Sequence, residues 1–174
     1  HDFEMAIATK HAVDISQVRD GIEEAFLRVW SGDMESDGFN KLVAFGGLSW
    51  REVIILRAYA KYLRQAAFRF SQPYIEDALA AHPQIAALLA KLFLTTFDPA
   101  LHTAATRKQS ESNAAKIRKE ITAALEDVSS ADEDRILRRY LNLIDCTLRT
   151  NFFQSGEDGK PKFYLSFKLN SRGI

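Results

Sequence analysis

Scarcity marks this sequence first. One cysteine, Cys146, stands among 174 residues, which excludes an internal disulfide and a cysteine-based zinc cluster. Glycine and proline number only eight and four, which excludes collagen and low-complexity chains. Neither sign of charge dominates, because Lys+Arg and Asp+Glu are 23 each. No hydrophobic run reaches the ~20 residues that a bilayer requires; the longest apolar-rich stretch, Ile85 to Phe97, is broken by Lys91. No basic, apolar, small-residue leader precedes it, so no signal peptide is visible and the cytoplasm is the expected compartment. What remains is a globular composition, 47% hydrophobic at 19.7 kDa. A folded chain of that mass buries roughly 70% of its unfolded surface.

Between the few glycines and prolines, apolar residues recur every three or four positions, which predicts helices. The first is expected from about Asp14, as N-cap, to Ser31, with Ile15, Val18, Ile22, Phe26 and Val29 on one stripe and Gly32 past its end. A short helix around Phe39, Leu42 and Val43 ends at Gly46-Gly47. Ser49-Trp50-Arg51-Glu52 is a capping box, and the helix it opens is expected to reach about Arg69. Ser71 with Pro73, then Pro83, then Asp98-Pro99 mark further starts, because proline is tolerated at helix beginnings. Residues 101 to 128 carry a thinner pattern and are expected to form a helix that projects from the body. Ser130 and Glu133 make a second capping box, opening a helix that runs through Ile136, Leu137, Tyr140, Leu141, Ile144 and Leu148.

Phe163, Leu165, Phe167 and Leu169 then alternate with Tyr164, Ser166 and Lys168, the period of a half-buried strand. A lone strand leaves backbone donors and acceptors unpaired. The only partner visible in the pattern is His1 to Ile7, so the rest of the sheet is expected to lie elsewhere. The opening HDFEMAI and the close on SRGI likewise read as cuts through longer structured sequence. The expected fold is mainly α: an irregular bundle of about six to eight helices with a C-terminal β-strand and room for a short N-terminal one.

Catalysis needs a constellation, and the usual ones are missing. His1, His11, His82 and His102 have no i, i+4 partners and no HExxH context, so no metal site is expected. Gly46-Gly47 lacks the spacing of a phosphate-binding loop and reads as one helix end running into the next N-cap. Cys146 is expected to be an inert small hydrophobe, and Asp132, Glu133 and Asp134 to complement a helix macrodipole. Arg57, Lys61 and Arg64 share one helical face and offer a stripe for an acidic partner; the alternative is a solvated face whose aliphatic stems cover the core edge. Ser71 to Phe97 has the outline of a helix-turn-helix, yet Glu76, Asp77, Lys91 and Asp98 leave it acidic. That sign repels a polyanion, so nucleic acid is not an expected partner.

Recognition adds what these residues alone do not. LSWREVIILRAYAKYLRQAAFRFSQPYIEDALAAHPQIAALLAKLFLTTFDP (48 to 99), RILRRYLNLIDCTLRTNFFQ (135 to 154) and KPKFYLSFKLNSR (160 to 172) resemble, in that order, the helical region of the very large bacterial NAD-specific glutamate dehydrogenases. HDFEM resembles the close of one of the family's ACT-like regulatory modules, and Asn170 stands where an acid is expected in many relatives. The resemblance implies regulatory modules upstream, then helical motifs, then a catalytic domain that binds glutamate and NAD. It divides the chain into residues 1 to 12, the end of a regulatory module; 13 to 154, a helical domain; and 155 to 174, a turn and strand leading into the catalytic domain.

On this resemblance no catalytic, cofactor or metal residue is expected in the chain itself, and NAD is the cofactor of the parent enzyme. The implied partners are the rest of the parent chain and a second copy through the terminal strand, with no nucleic acid and no membrane. Arg57, Lys61, Arg64, Phe163, Leu165, Phe167 and Leu169 are the candidate interaction residues. The rival expectations are a free-standing helical interaction module using the basic stripe and, further off, a transcription regulator.

Overall fold

Asp14 opens the first helix: its backbone is extended and its carboxylate accepts the Ser16 N–H at 3.0 Å, satisfying one orphan donor of the first turn. The computed structural model describes residues 14–162 and 164–174, the side chain of Ile15 excepted. His1 to Ile7 and Phe163 therefore lie outside the described residues. Seven helices are described: α1 (Ile15–Trp30), α2 (Lys41–Gly46), α3 (Trp50–Gln65), α4 (Gln72–Ala81), α5 (Pro83–Phe97), α6 (Arg107–Leu125) and α7 (Ala131–Cys146). Two strands follow, β1 (Thr147–Thr150) and β2 (Phe167–Leu169). The fold is mainly α, as the periodicity predicts.

The punctuation works locally. Gly47 adopts φ +62° at the end of α2, and two residues later Ser49 and Glu52 complete the capping box of α3. Ser71 caps α4, and Pro83 occupies the first position of α5. Ser130 accepts the Glu133 N–H at 3.4 Å, but the Glu133 carboxylate turns to His82 Nε2 at 2.8 Å. A long-range partner has displaced half of that second capping box.

α3 stops four residues before the expected Arg69. Ala67 takes φ +55°, its N–H reaches Arg64 O at 3.2 Å, and the Phe68 N–H reaches Leu63 O at 2.9 Å. This is a Schellman ending with alanine where glycine is the usual residue, so no glycine announced it. The left-handed region costs an alanine roughly 1–2 kcal/mol, partly offset by the greater chain entropy glycine loses on folding. Ala67→Gly is therefore expected to raise stability by about 0.5–1 kcal/mol. A denaturant midpoint that falls instead would show that the methyl group packs favourably.

The core is organised on α5, whose Ile85, Ala86, Leu89, Ala90, Leu92 and Phe93 are buried against α2, α3, α6 and α7. The expected projecting helix is a correction: α6 lies along α5 and buries Ser110, Ala114, Ile117, Ile121 and Leu125. The small residues that thin its hydrophobic pattern permit close approach, and Ser110 Oγ donates to Thr95 O of α5 at 2.8 Å.

The terminal strand is a second correction. β2 pairs antiparallel with β1, through Thr147↔Leu169, Arg149↔Lys168 and Thr150↔Phe167. The sequence pattern carries the last helix through Leu148, on its apolar stripe; Leu148 instead lies in β1 and is 53% exposed. The helix ends at Cys146 because Thr147 turns extended, donates to Leu143 O at 2.7 Å and meets Tyr59 Oη at 2.7 Å. Since the threonine proton goes to Leu143, the tyrosine donates at that contact. The alternation itself holds across 164 to 170, with Leu165, Phe167 and Leu169 half-buried between exposed neighbours.

Tyr59 and Tyr140 are buried, and Tyr140 donates its hydroxyl to Leu56 O at 3.0 Å. Burial pushes both phenols well above their ordinary value. Above about pH 10 the unfolded chain loses tyrosine protons that the folded chain keeps. Stability is complete below that pH and falls above it, by up to ~1.4 kcal/mol per pH unit for each buried phenol. Tyr140→Phe is expected to shallow the alkaline loss of stability by about that slope, read as the denaturant midpoint from neutral to alkaline pH.

Candidate functional site

The predicted basic stripe is not an open one. Arg57 is 4% exposed. Its Nε and Nη2 donate to Asp37 at 2.6 and 2.8 Å, and Nη2 also reaches Asn40 Oδ1 at 2.7 Å and Glu35 O at 3.4 Å. Lys61 pairs with the Glu35 carboxylate, and Arg64 donates to Gln72 Oε1 at 2.9 Å. The stripe looked unopposed because its acids lie some twenty residues earlier, in the link between α1 and α2. Asp37 also caps the 3₁₀ turn Gly38–Asn40, whose Gly38 N–H donates to the buried Glu76 at 3.1 Å. A Cβ at Gly38 would stand 2.5 Å from that carboxylate oxygen, so the turn approaches α4 as only glycine can.

Of the strand candidates, Phe167 stacks on Tyr59 with centroids 4.5 Å apart and planes 6° apart, and meets Phe93 edge-on at 5.9 Å. Leu165 and Leu169 pack against the same core. The apolar face of this strand is therefore turned to the helices of its own chain.

Among the described residues, no group of three or more His, Cys, Asp or Glu is placed to hold a metal ion. His102 Nε2 donates to Thr95 O at 3.1 Å and His82 pairs with Glu133. Cys146 is half-buried, with its sulfur 3.7 Å from Asn142 Nδ2. The helix-turn-helix outline is α4 and α5, bent by 99° at His82-Pro83; α5 is a core helix rather than one with a free face. No single helix among the described residues is long and apolar enough to cross a membrane.

A groove that sequence reasoning did not anticipate lies between α1, the first turn of α3 and the loop from 151 to 165. It encloses about 1030 Å³. Arg28 stands 4.6 Å over the Trp50 ring and pairs with Glu24 at 3.4 Å and Asp33 at 3.3 Å. Trp50 donates its indole N–H to Glu24 at 2.8 Å. Arg51 lies 4.5 Å from the Phe152 ring centroid and 5.7 Å from that of Trp50, and donates to Phe152 O at 2.8 Å. Burial holds its guanidinium below the usual arginine range. Alternating Trp-Arg and Phe residues a hundred positions apart carry no local signal that they meet.

Comparison with known families places this architecture. The family description "Glutamate dehydrogenase, helical motif 3" matches residues 34–99, and "Bacterial NAD-glutamate dehydrogenase, catalytic domain" matches residues 120–174. The chain is 45% identical over 174 residues to the NAD-specific glutamate dehydrogenase of Pseudomonas aeruginosa. It is 41% identical over 170 residues to that of Halomonas elongata and 41% over 152 residues to that of Mycobacterium tuberculosis. It spans 11%, 10% and 9% of these relatives' lengths.

The class so defined is a dehydrogenase region in which a helical motif runs into the start of a catalytic domain. The chain belongs to the large bacterial NAD-specific glutamate dehydrogenases, of which it represents one region. Trp50, Arg51 and Ile54 of the groove fall in the helical-motif match and Asn151 to Leu165 in the catalytic-domain match.

Proposed function

We propose that this chain is the non-catalytic joint of an NAD-dependent glutamate dehydrogenase. The parent enzyme oxidises L-glutamate to 2-oxoglutarate and ammonium and passes the hydride to NAD in the cytoplasm. Residues 1–12 close an ACT-like regulatory module, 13–154 form the helical body, within which the catalytic-domain match begins at residue 120, and 155–174 lead on into the rest of the catalytic domain, where the NAD and glutamate sites lie. The order of the two family matches along one continuous chain supports this most strongly.

Within the parent, Leu165, Phe167 and Leu169 anchor the catalytic segment to the helical body, and the exposed edge of the β1–β2 ribbon meets the rest of the parent chain or a second copy. Lys61 and Arg64, both exposed, offer the remaining charge contacts of the former stripe, while Arg57 works inside the fold. The test compares residues 1–174 with the complete product of the same gene, each assayed for NADH formed from L-glutamate and NAD. The complete product is expected to turn over and the 174-residue piece not to. An inactive complete product, or an active piece, would overturn the assignment.

A further inference from the structure

The groove beside α3 carries charge that the fold does not use. Two of its three acids are already paired: Glu24 accepts from Trp50 and Arg28, and Asp33 from Arg28 and Ser31, while Asp158 accepts the Lys160 backbone N–H. Three of its four cations, all but Arg28, are not. Among the described residues, Arg51, Lys160 and Lys162 make no ion pair. Arg51 spends one donor on a carbonyl, Lys162 reaches the neutral Gln154 at 3.1 Å and lies 5.7 Å over the Tyr164 ring, and Lys160 has no side-chain hydrogen bond. Arg51 is also partly desolvated, and a half-buried cation without a counter-charge is unfavourable unless an anion completes it. Trp50, Ile54, Phe152, Pro161 and Leu165 supply the groove with an apolar wall. Its volume of about 1030 Å³ is just above the range of about 300–1,000 Å³ typical of small-ligand sites.

We propose that this groove binds a small ligand carrying an oxyanion on an aromatic ring, the anion taken by Arg51, Lys160 and Lys162 and the ring by the Trp50–Phe152 wall. A guanidinium over aromatic rings can still offer its remaining planar donors to an oxyanion. The neighbouring apolar surface discriminates such a ligand from a bare inorganic anion. Because one wall belongs to α3 and the other to the loop after β1, occupation ties the two segments together and stabilises the chain by mass action. The proposal does not depend on the parent activity.

The probes are phenyl phosphate, inorganic phosphate and phenol, titrated calorimetrically into residues 1–174 at low ionic strength. Phenyl phosphate is expected to bind roughly tenfold or more tightly than either of the others, since each half of the ligand contributes separately. It is also expected to raise the melting temperature and to weaken with salt. The double variant Lys160→Gln/Lys162→Gln removes one exposed and one half-buried loop cation, the latter giving up its contacts with Gln154 and Tyr164. It should lower the ligand-free melting temperature only slightly and weaken phenyl phosphate roughly tenfold. Arg51→Lys keeps the charge but loses the planar donor set, and should weaken it further. Equal binding of phosphate and phenyl phosphate, equal binding of phenol, or an affinity unmoved in the double variant would each overturn the proposal.

Discussion

Replacing Arg57 by methionine is expected to cost the chain about 3–5 kcal/mol of folding stability. The guanidinium is buried, and Asp37, only 13% exposed at its side chain, takes two of its donors. Removing the cation leaves a carboxylate shut away from water with only the Phe39 N–H at 3.1 Å to answer it, and takes one donor each from Asn40 Oδ1 and the Glu35 carbonyl. A mixed pair of tests separates this from lost packing. Arg57→Met alone should be far worse than Arg57→Met with Asp37→Leu, because a buried pair replaced by apolar groups of similar volume is often near neutral. Equal losses in the single and double variants, read from urea midpoints at constant slope, would show that the pair matters only for its bulk.

The second large effect is expected at Phe93. This ring is fully buried on α5, and within 6.2 Å of it lie the rings of Tyr59, Phe97, Phe152 and Phe167. It is where helices, β2 and the loop after β1 share one contact. Phe93→Ala should cost about 3–5 kcal/mol, through lost transfer energy and the cavity left behind. Backbone amides of β1 and β2 should also exchange faster in the variant, since Phe167 loses part of its seat. A loss below about 1 kcal/mol would mean that the neighbouring rings collapse into the space, which close packing opposes. Phe93→Leu, which conserves most of the volume, should keep much of the stability.

Local chemistry was legible. Helix starts at Asp14, Ser49, Ser71 and Pro83, and the end at Gly47, follow from groups that act within four residues of themselves. The period-2 face of Leu165, Phe167 and Leu169 was equally readable, because alternation is a property of the backbone. The ends that failed were those without such a marker. Ala67 closes α3 in a conformation its side chain resists, and Cys146 gives way to β1 because Thr147 finds Tyr59, a residue eighty-eight positions earlier.

Interactions between distant segments were decided only by the tertiary structure. Glu35 and Asp37 fold back to neutralise a stripe that looked available, and Glu133 leaves its cap for His82. Trp50 and Phe152 meet around Arg51 to build a groove. By itself the sequence determined the helical class, most of the helix starts and the family, because each rests on patterns within a turn or on the order of segments along the chain. Pairing of charges, seating of the strand and shape of the groove required the fold, because Coulomb forces and ring packing act across space and depend on which residues the core brings within a few ångströms.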